Sequence, residues 1–232
     1  MVSNETMVSI TETPTDFTTL PDMSADLFTA PLQKPAHLGS DWLEPKQADY
    51  GSADHAIWDE LFERQMAVLP GRAATAFIEG LDKLDLSRGS VPEFGRLSEE
   101  LDRLTGWSVV PVPMLIPDHV FFWHLANRRF PVATFIRSRE DFDYLREPDI
   151  FHEIFGHCAM LTNPDFAEFT HKYGQLGYAA EKKDRVYLAR LYWFTVEFGL
   201  MQTKDGLRIY GGGILSSPGE TQYVYSDVPQ IK

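Results

Sequence analysis

At 232 residues, 44% of them hydrophobic and 13% aromatic, the chain is long enough to close a sizeable core and too apolar to stay unfolded. Its net charge of −13 disfavours nucleic acid or an anionic membrane as partner, because phosphate binding needs local positive charge. It has no apolar run of about twenty residues, no basic and apolar leader, and a single cysteine, Cys158; no membrane span, secretory signal or internal disulfide is expected, and the reading is a cytoplasmic protein.

Residues 1–50 are rich in Thr, Pro, Ser and Asp with little periodicity, and read as an extended or partly disordered arm; residues 51–232 read as one folded domain without repeats. The first helix is expected over 54–69, where Ile57, Trp58, Leu61, Phe62, Gln65, Met66 and Leu69 recur at helical spacing. Ser52 and Asp54 are its candidate caps, and Pro70-Gly71 stops it. A second helix follows over about 73–84. A third covers 92–105, with Phe94, Leu97, Leu101 and Leu104 on one stripe and Gly106 at its end. Three prolines between 109 and 117 predict an extended loop. A helix over 118–128 and a short strand over 130–136 come next, then helical segments over 149–161, 164–173 and 184–201. Gly211-Gly212-Gly213, between 207–210 and 214–215, suggests a small hairpin or bulged edge, and Ser217-Pro218 starts a last short helix. The fold class is mainly α with a small amount of β.

The chemistry concentrates in HEIFGH, from His152 to His157, and in Glu197 within the apolar run YWFTVEFGL. Two imidazoles and a carboxylate are the ligand set of a mononuclear non-haem iron(II) site with open positions. The spacing is HExxxH, one residue longer than the zinc-protease HExxH. On a regular helix five residues advance about 500°, which leaves the two rings roughly 140° apart. They share a metal only if the helix is distorted. A π-bulge supplies such a distortion, and Gly156 would ease it. The long spacing argues against zinc-protease chemistry. Glu197 among apolar neighbours is costly unless paired or metal-bound. Cys158, beside a histidine, reads as a small buried residue.

Three long segments, EPDIFHEIFGHCAMLTNPDFAEF, YWFTVEFGL and YGGGILSSPGE, resemble the pterin-dependent aromatic amino acid hydroxylases, and among them the short bacterial phenylalanine hydroxylases. The resemblance extends over about residues 50–225. It implies a single catalytic domain of that family's type, with Fe(II) held by His152, His157 and Glu197. It implies L-phenylalanine, O2 and a tetrahydropterin (tetrahydrobiopterin or a relative) as reactants and L-tyrosine as product, in phenylalanine catabolism or tyrosine supply. A monomer or a dimer is expected. Arg137 matches the arginine that holds the substrate carboxylate, and an arginine fork suits that task. Asp149 matches the aspartate that orients it, and is also a natural N-cap for the helix of His152. Pro148, Trp193 and Phe198 match residues lining the pocket for the ring, and Gly213 and Ser216 match positions near the substrate backbone. For the pterin, Phe121 matches a stacking aromatic, Ile116 and Asp118 lie in a loop offering backbone groups, Glu153 matches an acid acting through water, and Tyr192 borders the same pocket.

Two departures stand out. The animal members' Thr-Pro-Glu-Pro-Asp is replaced by Leu145-Arg146-Glu147-Pro148-Asp149, so a threonine hydroxyl near the substrate is absent; Pro131 stands where those members have a histidine near the pterin. The alternatives are a tryptophan hydroxylase of the same family, a zinc-dependent hydrolase with Glu153 as general base, and a non-catalytic amino-acid- or pterin-binding protein. Trp193, at a position where tryptophan hydroxylases tend to carry Phe, favours phenylalanine.

Overall fold

A computed structural model describes residues 48–113, 115–143 and 147–227. The arm expected over 1–50 therefore lies almost wholly outside the described residues, as do Leu145 and Arg146. The rest is mainly helical with two small sheets: α1 (Ser52–Met66), α2 (Thr75–Lys83), α3 (Phe94–Thr105), β1 (Ser108–Val112), α4 (Asp118–Ala126), β2 (Arg129–Ala133), a π-helical segment His152–Cys158 running into α5 (Ala159–Leu161), α6 (Pro164–Ala179), α7 (Lys182–Tyr192) running into a second π segment Trp193–Glu197, β3 (Leu200–Thr203), β4 (Gly206–Ile209), α8 (Gly212–Leu215) and α9 (Pro218–Val224). Among the described residues, no helix is long and apolar enough to cross a membrane.

Three expectations need correction. The proline-bearing stretch over 109–117 is not all loop, because β1 pairs in parallel with β2, Pro111 opposite Val132 and Val110 opposite Pro131. Bonds from Ser108 N to Arg128 O and from Thr134 N to Val112 O fix the phase of the ladder. In that phase the nitrogens of Pro111 and Pro131 both face away from the partner strand, where a missing N–H costs nothing. The helix expected over 184–201 ends as a helix at Glu197, and Leu200 already belongs to β3. The hairpin is β3–β4, with Thr203 opposite Gly206, rather than a turn at Gly211-Gly212-Gly213. Its turn signal is Asp205-Gly206, and Gly206 takes φ of 102°, which a side chain would resist. Gly212 and Gly213 instead open α8.

The core sits beneath the π segment. Phe155 stacks on Phe151 at 4.8 Å and meets Phe62 and Phe77 edge-on at 5.4 and 5.5 Å, while Trp58 meets Phe151 at 5.2 Å. These rings anchor one side of the segment by area burial and edge-to-face geometry. Buried Gln65 donates to Thr221 Oγ1, which donates to Ile214 O, so α1 is tied to α8 and α9.

His124, on α4, is fully buried with neither ring nitrogen hydrogen-bonded among the described residues. Burial, helped by the Arg129 charge, pushes its pKa down to about 4. The unfolded imidazole takes up a proton below about 6.5, whereas the native one does not until about 4. Stability from this group is therefore present above pH 6.5 and lost as the pH falls toward 4. Between pH 7 and 5 the loss is expected to be about 2 kcal/mol. Urea unfolding of wild type and His124→Leu at both pH values checks this; an equal pH dependence in the two proteins would refute it.

Candidate active site

The i→i+5 periodicity of the π segment turns His152 and His157 to the same side, and their Nε2 atoms lie 3.2 Å apart. The second π segment does the same service for the carboxylate: Phe198 N donates to Trp193 O, and the extra residue in that turn carries Glu197 toward the histidines. Glu197 Oε1 lies 3.2 Å from His157 Nε2, and Oε2 lies 3.6 Å from His152 Nε2. Metal–ligand bonds of about 2.0–2.2 Å meeting near right angles set neighbouring ligand atoms about 3 Å apart. The three side chains fit one cation on this geometry.

Electrostatics couple the same three groups. Burial keeps His152 neutral, lowering its pKa to about 4 against the pull of Glu197. Burial works against the charge on Glu197, but His157 outweighs it and holds the carboxyl down to about 2. His157 is raised in turn, because the charge and hydrogen bond of Glu197 more than offset its burial. Burial pushes the neighbouring Glu153 up to about 8.

Around the ligand set the supports are specific. Ser216 Oγ donates to Gly212 O, so it accepts from His152 Nδ1 at 2.9 Å. That bond places the imidazole proton on Nδ1 and leaves the Nε2 lone pair for a metal. The sequence matched Ser216 to the substrate backbone; its observed partners are Gly212 O at 2.8 Å and His152 Nδ1 at 2.9 Å. The backbone N–H of Gly213 helps to lower the pKa of Glu197. A Cβ on Gly156 would come within 2.7 Å of Gly212 O, so this glycine lets α8 lie directly on the π segment. Ser216→Ala is expected to fold normally and to weaken iron(II) binding about 10- to 100-fold, as loss of such an outer partner typically does. Competition with a chelator measures it, and unchanged affinity would refute the role.

Above the three converging groups opens a cleft of about 790 Å³. Of the residues selected from the sequence, Ile116, Asp118, Phe121, Arg137, Pro148, His152, Glu153, Tyr192, Trp193, Glu197, Phe198, Gly213 and Ser216 all line it. His157 and Asp149 sit behind the wall, nearly or fully buried. Asp149 fills both expected positions at once. It accepts from Arg137 N and Nε through Oδ2 at 3.0 and 2.8 Å and from Nη2 through Oδ1 at 2.9 Å, and it caps His152 N at 3.0 Å. Nη1 of Arg137 is taken by no described residue and remains for a ligand in the cleft. Trp193 and Phe198 rings lie 4.8 Å apart, with Trp193 more than half exposed. Phe121 meets Tyr192 edge-on at 5.2 Å. The Tyr192 hydroxyl is buried without a partner among the described residues, and burial together with the Glu197 and Glu153 charges raises its pKa. An orphaned hydroxyl at the cleft wall fits a site built to receive a bound group. Pro131 also lines the cleft, as do Arg64, Asp143, Glu147 and Glu220, which sequence reasoning did not select.

Comparison with known proteins agrees with this geometry. The sequence profile of the biopterin-dependent aromatic amino acid hydroxylases matches residues 43–232. The phenylalanine-4-hydroxylase of Pseudomonas aeruginosa is 56% identical over 180 residues, covering 78% of this chain and 69% of the relative. That of Vibrio cholerae is 58% identical over 175 residues, covering 75% and 61%. A crystal structure of Chromobacterium violaceum phenylalanine hydroxylase, with bound iron(III) and the oxidized cofactor 7,8-dihydrobiopterin, is similar with a TM-score of 0.79 at 48% identity, over 82% of this chain and 70% of that one.

Proposed function

Because the chain belongs to the biopterin-dependent aromatic amino acid hydroxylases, we propose that it converts L-phenylalanine to L-tyrosine with O2 and a tetrahydropterin at an iron(II) site held by His152, His157 and Glu197. The observation that carries this reading is the convergence of those three side chains at 3.2–3.6 Å in a cleft that also presents an oriented arginine. Iron, when bound, supplies the activation of oxygen, and the pterin supplies two electrons and takes up the second oxygen atom.

The chain's own residues bind and orient. Arg137, locked by Asp149, offers Nη1 to the substrate carboxylate. Trp193, Phe198 and Pro148 provide an apolar wall for the aromatic ring, and Gly213 and Ser216 border its backbone end. Phe121 and Tyr192 make an aromatic corner for the pterin ring, with Ile116, Asp118 and Glu153 around it. Holding both reactants in one apolar cleft turns an encounter into a positioned reaction and limits water at the reacting centre. The single cysteine, buried and unpaired, supports a cytoplasmic setting.

The test is product analysis. Protein loaded with iron(II) is given reduced pterin, air and phenylalanine, with each component omitted in turn and tryptophan offered in parallel. Tyrosine is expected only with all components, and tryptophan is expected to turn over more slowly. Tyrosine formed without iron would overturn the reading, and preferential hydroxylation of tryptophan would reassign the substrate.

A further inference from the structure

Residues 137–143 and 147–149 lie on either side of a stretch outside the described residues, and their two ends, Arg137 and Asp149, meet. Their junction is closed by the three bonds from Arg137 to Asp149 and by Ile150 N donating to Phe135 O. Residues 137–143 are also tied to α1. Arg64 donates through Nη1 to Asp143 Oδ1 at 2.5 Å and through Nη2 to Phe142 O at 3.0 Å, and its guanidinium lies 4.4 Å from the centre of the Phe142 ring. Arg139, on the same stretch, pairs through both terminal nitrogens with Glu60 of α1 and also approaches Phe142, at 5.5 Å.

Fold stability does not explain this arrangement. Asp143 is 91% exposed, and an ion pair to so exposed a partner contributes little. Among the described residues Arg64 Nε has no partner. What Arg64 and Asp143 share is the cleft: both line it, alongside Arg137, Glu147 and Pro148. α1 is a firm base for such a tie, since the next residue, Gln65, anchors it to α9.

We propose that Arg64 is a positioning residue for amino-acid binding, holding Phe142 and Asp143 so that the wall carrying Arg137 and Pro148 keeps the shape the substrate's amino-acid end requires. Resting on the functional reading above, the inference adds a determinant of substrate affinity that touches neither iron nor pterin. A planar guanidinium that serves a carboxylate, a carbonyl and a ring face together is not replaceable by lysine.

The experiment compares wild type with Arg64→Ala, Arg64→Lys, Asp143→Asn and the Arg64→Ala/Asp143→Asn double variant in steady-state hydroxylation, with KM for phenylalanine and for pterin measured separately. KM for phenylalanine is expected to rise about fivefold in every variant, the most an exposed tie can supply, with kcat and pterin KM within about twofold of wild type. The double variant should resemble the singles, because both break one tie. Unchanged phenylalanine KM overturns the proposal, as does an equal rise for pterin. A defect in Arg64→Ala with none in Asp143→Asn overturns it too, since Arg64 would then contact the substrate itself. If Arg64→Ala does not fold, Asp143→Asn decides alone, its side chain being exposed. If wild type makes no tyrosine, the functional reading has failed, and equilibrium dialysis of phenylalanine against the iron-loaded proteins decides the tie separately: a roughly fivefold weaker Kd in the variants supports it, and equal Kd overturns it.

Discussion

Glu197→Ala is expected to leave a folded protein that no longer retains iron(II) and that makes tyrosine at least about a thousandfold more slowly, since several kcal/mol of charge stabilisation correspond to about a decade of rate per 1.36 kcal/mol. Glu197 contributes the only carboxylate among the three converging groups, 3.2 and 3.6 Å from the two histidines. Without it, two neutral imidazoles would have to hold a dication from one side. The fold should tolerate the change. The metal-free wild type buries Glu197 against His157, and the imidazole left behind can shed its proton instead of keeping an unpaired buried charge. Two measurements separate chemistry from folding. Metal analysis after gel filtration should find iron in wild type and none in the variant. Iron(II) should raise the melting temperature of wild type, because a ligand that binds only the native state stabilises it, and should leave Glu197→Ala unmoved. A variant that kept stoichiometric iron and full turnover would remove Glu197 from the ligand set.

The site was more legible in the sequence than the backbone that builds it. HExxxH is one residue too long for a regular helix, and that misfit by itself points to a distorted turn; the π segment His152–Cys158 is that turn. No such misfit marks Trp193–Glu197, because a single acid in an apolar run carries no internal spacing to violate. A plain helix was therefore expected to run on to residue 201, through residues that instead form β3. The parallel pair β1–β2 was hidden for another reason. Proline argues against a ladder only where its nitrogen faces the partner, and that phase is set by register, which tertiary contacts decide. Arg64 and Asp143 escaped selection because nothing local distinguishes an arginine on an amphipathic helix from a solvated one. Its meaning lies in a contact made across 79 residues of chain. Ser216 illustrates the same limit more finely: the sequence brought it to the site, and only the coordinates show its hydroxyl turned toward His152.

Asp149→Ala is expected to lower stability by about 3–5 kcal/mol, because it strands the Arg137 guanidinium in a buried place with its partner gone. Asp149 is fully buried and accepts all three Arg137 bonds together with the cap bond from His152 N. Loss of the cap adds roughly 1 kcal/mol at the start of the segment that carries both histidines. Asp149→Asn keeps an acceptor for His152 N but not the charge, and should fall between wild type and Asp149→Ala. The melting temperature reports these losses, at roughly 2–4 °C per kcal/mol for a chain of this size. Stability alone would not distinguish a structural pair from a substrate-orienting one; a double replacement does. Arg137→Met/Asp149→Leu removes both charges and fills the space with apolar atoms, which in buried pairs commonly restores or exceeds the original stability. The double variant should therefore melt well above Asp149→Ala. It should still bind phenylalanine at least about tenfold more weakly than wild type, because no Arg137 Nη1 remains for the carboxylate. If the repacked protein bound phenylalanine as tightly as wild type, Arg137 and Asp149 would be a structural pair, and the carboxylate would have to be held elsewhere in the cleft.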